Sequence, residues 1–311
     1  MNIVLLDQKT LGDDLDLSQL LTYGELTIYP TTAPDERYER IKDAQIVITN
    51  KVVIDRELMN QAKELKLICI AATGMNNVDL DAAKELGIVV KNVQGYSTQS
   101  VVQHTFAMAL YLLEHLQHYH EHVQQGAWSQ SGLFTDLSRP FYEIQGKTWG
   151  IIGLGTIGRS VAKVAECFGA TIHYYSTSGE NRINDYHHSE LKTLLSECDI
   201  ISIHAPLNNK TENLINQSNL HLLKNGAILL NLGRGGIINE IDLAQALTTQ
   251  EIYVGLDVLR QEPMASNHPL LELPHPERLL ITPHIAWASI EARQKLLAGI
   301  LQNIEQFLAL E

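Results

Sequence analysis

The sequence predicts an α/β protein of two doubly wound parallel-sheet domains, the second inserted in the first. Two observations predict it. Short apolar runs alternate with amphipathic segments almost from end to end, as a parallel sheet covered by helices on both faces requires. That alternation also breaks once near residue 97 and restarts near 148, so there are two β-α series rather than one.

The first series of runs is NIVLLD (2–7), LTIYP (26–30), AQIVIT (44–49), LKLICIAA (65–72) and GIVVKNV (87–93). Between them, DRELMNQAKE (55–64) and DLDAAKELG (79–87) repeat apolar residues at helical spacing, and Gly87 suits a helix C-cap. Ser97 or Thr98 can then cap a helix running towards Gly126, about 40 Å long at the rise of an α-helix. The second series is TWGIIG (148–153), TIHYY (171–175), DIISIHA (199–205), AILLNLG (227–233), YVGLDV (253–258) and LLITP (279–283). Ser289 opens a last helix through EARQKLLAGILQNIEQFLAL. The expected domains are therefore 1–97 plus 288–311, and 98–287, with 126–147 the longest irregular stretch between elements.

The chain has 311 residues, enough for two domains of ordinary size. A hydrophobic content of 45% and 19% charged residues fit a globular protein with ample core. The net charge of −13 argues against nucleic acid or an anionic membrane as partner, since both need a basic surface. Cys69, Cys167 and Cys198 are too few and too scattered for a disulfide framework and read as buried thiols. MNIVLLDQK is no signal peptide and no apolar stretch reaches spanning length, so a cytoplasmic location is expected.

A glycine-rich turn adds chemistry. Gly153-Leu-Gly155-Thr-Ile-Gly158 follows a predicted strand and opens a predicted helix. In such a Rossmann-like turn the first glycine permits a tight bend, the second lets backbone approach a pyrophosphate, and the third lets helix pack on strand. The helix N-terminus then offers N–H groups and a positive dipole end to the phosphates. About 20 residues on, a carboxylate would normally hold the ribose 2′-hydroxyl of NAD and repel the 2′-phosphate of NADP. Ser176, Thr177 and Ser178 stand there instead. Their hydroxyls could donate to a phosphate with help from Arg182, or Glu180 could serve NAD. The choice between NAD and NADP stays open.

Three reactive side chains follow predicted strands. Arg234 stands in NLGRGG, Glu262 in GLDVLRQEP and His284 in ITPHIAWAS. Ligands of open parallel sheets bind at strand C-termini, so the three could meet at one crevice. Together they suit reduction of a 2-keto acid. A guanidinium clamps the carboxylate and polarises the neighbouring carbonyl. An imidazolium donates the proton, and a carboxylate beside it favours that charged form.

These motifs carry a resemblance over essentially the whole chain. AATGMNNVDL (71–80), GIIGLGTIGRSVA (150–162), CDIISIHAPL (198–207), LLNLGRGGIINE (229–240), GLDVLRQEP (255–263) and PHIAWAS (283–289) resemble the D-isomer specific 2-hydroxyacid dehydrogenases. The resemblance implies that Arg234, Glu262 and His284 form the catalytic trio. It implies cofactor contacts by Gly153, Gly155, Thr156, Ile157 and Gly158, by residues 176–178, by Ala205 and Pro206, and by Leu232 and Gly233. Asp257 would face the nicotinamide side. Backbone N–H groups around Thr73, Gly74 and Met75 would receive the substrate carboxylate, alongside Arg234 and His284. Serine at 176 departs from the aspartate usual in NAD-using members, which puts the cofactor rather than the reaction in question.

Within that family the chain looks most like glycerate dehydrogenases, which are hydroxypyruvate reductases, with glyoxylate the next substrate. A phosphoglycerate dehydrogenase would want a cation in AATGMNNVD, which has none. Formate dehydrogenases of the superfamily carry glutamine where Glu262 stands. A dinucleotide-sensing corepressor is the alternative of a different class, but no peptide-recognition surface or disordered tail is evident. A homodimer is expected from the resemblance alone. His115, His118 and His122 in EHLQHYHEHV fall on one helical face, and His118/His122 have the spacing of a zinc pair, yet hydride transfer needs no metal. Trp287 could cover the substrate or pack at the domain junction.

Overall fold

The computed structural model describes residues 1–179 and 185–310. The chain divides into two compact units, Met1–Ser97 with Ala288–Glu311, and Thr98–Trp287. Among the described residues each is built on one wholly parallel sheet.

In the first unit the strands are β1 (Asn2–Leu5), β2 (Glu25–Ile28), β3 (Ile46–Thr49), β4 (Leu67–Ile70) and β5 (Val89–Asn92), in the order β2-β1-β3-β4-β5. β3 and β4 are buried at every position, which is why their sequences read as unbroken apolar runs. Asp55 and Asp79 cap the helices Arg56–Gln61 and Leu80–Glu85 by accepting from the N–H groups of Leu58 and Ala82. Gly87 takes φ +73° just past the second. Ser289 accepts from the N–H of Ala292 and starts the terminal helix Ile290–Leu308, which buries Leu296, Ile300 and Ile304. The Asn303 amide of that helix donates to the Asn92 carbonyl at the end of β5.

The second unit holds β6 (Thr148–Ile152), β7 (Thr171–Tyr175), β8 (His187–His188), β9 (Ile200–Ile203), β10 (Ile228–Asn231), β11 (Tyr253–Leu256) and β12 (Leu279–Ile281). Their order is β12-β11-β10-β9-β6-β7-β8. The strand sequence reverses direction at β6, leaving a crevice between β6 and β9 where such sheets bind ligands. Both faces are covered. Ile201, Ile203, Leu229 and Val254 join one apolar cluster, and Trp149, Ile151, Tyr174 and Leu230 another. The buried Trp149 indole N–H donates to Ser202 Oγ at 2.9 Å, so no polar cost remains at that contact.

Three expectations need correction. The long helix towards Gly126 is two helices, Thr98–Leu113 and Leu116–Gln124, and a short third, Ala127–Ser131, follows Gly126. The chain breaks at His115, which adopts a left-handed φ of +53° and sets its ring 5.3 Å from that of Tyr253. His115 therefore does not share a helical face with His118 and His122. His122 instead faces Asp136 at 3.4 Å. Third, Cys69 and Cys198 are buried but Cys167 is exposed, because it ends a helix whose inner face is Val161, Ala162 and Ala165. No group of three or more His, Cys, Asp or Glu suited to a metal ion occurs among the described residues. No described helix is long and apolar enough to cross a membrane.

Candidate active site

The glycine turn lies between β6 and the helix Thr156–Cys167, in the crevice. Gly153 has φ +93°, and a Cβ there would fall 2.8 Å from the Ala205 nitrogen. At Gly158 a Cβ would fall 2.3 Å from the Gly153 carbonyl. Packing alone explains these two glycines. A Cβ on Gly155 would meet nothing within 4 Å, so the protein itself does not demand glycine there. Glycine there leaves the backbone open to close approach from outside the chain, and a pyrophosphate fits that space. Thr156 and Ile157 begin the helix, where N–H groups have no intrahelical acceptor. The residues present thus fit a dinucleotide.

Next to the turn, Ala205 is buried and follows β9, and Gly233 approaches it so closely that a Cβ would lie 2.8 Å from the Ala205 carbonyl. Leu232 is buried on the same edge. At the end of β7, Ser176 is buried, and its hydroxyl accepts from the N–H of Gly179 at 3.2 Å. Thr177 and Ser178 line a cleft with Pro206. Glu180 and Arg182 lie outside the described residues.

The three reactive side chains follow β10, β11 and β12, adjacent strands of one sheet. His284 Nδ1 and Glu262 Oε2 are 2.7 Å apart, and Glu262 Oε1 accepts from the N–H of Leu259 at 3.0 Å. The carboxylate is therefore held on one side by its own loop and on the other by the imidazole. Both side chains are partly open, 35% for Glu262 and 25% for His284. Arg234 is exposed on the loop after β10. Its loop is shaped by Asn231, whose amide oxygen accepts from the Gly233 N–H and whose amide nitrogen donates to the Arg234 carbonyl. The loop also packs on the Glu262 loop: a Cβ at Gly235 would lie 1.9 Å from the Leu259 carbonyl oxygen.

Asp257 does more than the sequence indicated. It is buried, and its carboxylate accepts from Thr282 Oγ1 at 2.7 Å and from the N–H groups of Ile285 and Ala286 at 2.9 Å each. These bonds flank His284, whose φ of +56° is a conformation that non-glycine residues avoid. The aspartate thus holds the turn that aims the imidazole. His104 joins from the helix Thr98–Leu113, with its Nε2 3.0 Å from Thr282 Oγ1. Neither Asn231 nor His104 was singled out in the sequence. Asparagine directly before the arginine loop was the available signal for the first; the second gives none.

In the first unit, the loop after β4 holds Thr73, Gly74 and Met75. The Thr73 hydroxyl donates to the Val93 carbonyl at 3.1 Å, and Asn92 donates to the Thr73 carbonyl. Trp287 ends the second unit and is half-buried.

Residues 106–286 match the D-isomer specific 2-hydroxyacid dehydrogenase, NAD binding domain. A hydroxypyruvate reductase of Blautia hydrogenotrophica is 37% identical over 99% of this chain and 97% of its own. A glycerate dehydrogenase of Methylorubrum extorquens is 37% identical over 99% and 96%. A solved acyclic imino acid reductase in complex with NADPH and D-Arg superposes with a TM-score of 0.87 at 28% identity, covering 99% of this chain and 97% of that one. The chain belongs to the D-isomer specific 2-hydroxyacid dehydrogenase family.

Proposed function

We propose that the protein reduces the C2 carbonyl of a small 2-keto acid with NAD(P)H, hydroxypyruvate first and glyoxylate next, and catalyses the reverse oxidation of the 2-hydroxy acid. The 2.7 Å contact between His284 and Glu262, on strand ends beside the Arg234 loop, carries this reading. When bound, the nicotinamide supplies the hydride. Glu262 holds Nδ1 of His284, so Nε2 is the atom left to give a proton to the carbonyl oxygen. The Arg234 guanidinium pairs with the substrate carboxylate and fixes which face of the carbonyl is presented. The backbone at Thr73, Gly74 and Met75 is a second carboxylate receptor in this proposal.

Initial rates with hydroxypyruvate, glyoxylate, pyruvate and a phosphorylated keto acid test the reading. Hydroxypyruvate should lead, and His284→Ala should lower kcat at least a hundredfold with little effect on dinucleotide affinity. Tight dinucleotide binding without turnover of any keto acid would favour a sensing protein instead.

The working assembly in this proposal is a cytoplasmic homodimer. Leu133, Phe134, Leu137 and Phe141 are exposed apolar side chains in one segment of the second unit, with Phe134 91% exposed, and a second copy would cover them. Light scattering at micromolar concentration should give twice the chain mass.

A further inference from the structure

We propose that the adenosine end of the dinucleotide site is built for a 2′-phosphate, with Lys210 as the residue that selects it, so that the protein prefers NADP(H). The inference rests on the dinucleotide-binding reading above. A cleft of about 460 Å³ is lined by Thr177 and Ser178 from the loop after β7, and by Pro206, Asn208, Asn209 and Lys210 from the loop after β9. Among the described residues the lining has hydroxyls, amides and one ammonium group, and no carboxylate. Among the described residues Lys210 makes no ion pair, although the chain carries 36 acidic side chains against 23 basic ones. A cation left without an internal partner beside four hydrogen-bonding side chains suits a dianion. It offers little to a ribose diol.

The loop that presents Lys210 is ordered. Thr211 is fully buried; its hydroxyl donates to the Pro206 carbonyl at 2.7 Å and accepts from the Asn208 N–H at 2.8 Å. Asn208 Oδ1 accepts from the Lys210 N–H at 2.9 Å, which leaves the Asn208 amide group able to donate. Across the cleft, Ser176 holds the place where a carboxylate would bind the ribose and repel a phosphate. Its hydroxyl is turned into its own loop, accepting from the Gly179 N–H, and among the described residues that end of the site carries no carboxylate. The absence of the acid and the presence of the lysine come from loops about thirty residues apart and point to the same ligand.

The test is direct binding, read by nicotinamide fluorescence without substrate, so that it does not depend on turnover. NADPH should bind the wild-type protein at least tenfold more tightly than NADH, and adenosine 2′,5′-bisphosphate should displace it far better than AMP. Lys210→Gln should reduce the NADPH-over-NADH ratio about tenfold, as expected for loss of one charge-assisted bond to phosphate. Ser176→Asp can keep the turn, because its carboxylate can also accept from Gly179, and should reverse the preference towards NADH. Tighter binding of NADH by the wild type, or a Lys210→Gln variant that weakens both dinucleotides equally, would overturn the proposal. NADPH preference without keto-acid turnover would leave it standing while removing the proposed reaction. Failure to bind either dinucleotide would overturn both.

Discussion

Replacing Asp257 by alanine should uncouple catalysis from cofactor binding. The substitution removes a buried carboxylate that accepts two backbone N–H bonds and one hydroxyl bond around His284. An interior donor left without an acceptor costs about 1–3 kcal/mol. The Ala286 N–H is buried, whereas Ile285 is 45% exposed and its N–H can reach water. The summed loss of stability should therefore be about 2–4 kcal/mol. The left-handed backbone at His284 adds a second effect. That conformation costs about 1–2 kcal/mol for an ordinary residue, and without the carboxylate the bonds on both flanks that offset it are lost. The turn should relax and carry the imidazole with it, and a displacement of about 1 Å at a reacting group lowers rates about a hundredfold. Urea denaturation reads the first quantity, and single-turnover reduction of hydroxypyruvate reads the second. Dinucleotide affinity, by fluorescence titration, should change less than threefold. A variant with near-normal kcat and a tenfold weaker dinucleotide would refute the reasoning, because the carboxylate would then serve the cofactor rather than the turn.

Other outcomes follow from the same contacts. Gly235→Ala should cost about 2–3 kcal/mol and most of the activity, since its methyl group would have to displace the Leu259 backbone; unchanged melting and turnover would contradict the packing. Among the described residues neither buried ring nitrogen of His204 has a partner, and burial pushes its pKa down to about 3. Below its ordinary value of 6.5 the unfolded chain takes up a proton that the folded chain refuses, so stability should fall as pH drops from about 6.5 towards 3. At pH 4.5 the loss is about 2–3 kcal/mol, and His204→Leu should remove that part of the difference between urea midpoints at pH 7 and 4.5. Burial also pushes the Cys69 and Cys198 thiols up to about 12, so a thiol reagent at pH 8 should label Cys167 alone until the protein is unfolded.

Much of this architecture was legible because both faces of each sheet are buried. Runs such as AILLNLG and LKLICIAA, short and bounded by turn residues, read as interior parallel strands, and the turn after TWGIIG declares its own geometry. The placement of Arg234, Glu262 and His284 at neighbouring strand ends was legible for a related reason: each follows a recognisable strand. What escaped the sequence depends on contacts between distant residues. EHLQHYHEHV keeps helical periodicity through His115, with no glycine or proline to mark the break. The two-residue strand His187–His188 is too short to give a pattern and exists by pairing with β7. Asp257 reads as one more acid at a strand end until the N–H groups of residues 285 and 286 are seen to converge on it. Lys210 reads as a solvated loop lysine until its loop is set opposite Ser178.

The strand order has a further consequence. The trio hangs from the ends of β10, β11 and β12, whereas the cleft holding Lys210 is formed by the loops after β7 and β9. If both proposals hold, one end of the sheet carries two separately editable instructions, one for the reaction and one for the reservoir of reducing power it draws on. A lineage could move such an enzyme between catabolic and biosynthetic electron pools by exchanging a few loop residues, without touching the strand ends that carry the trio.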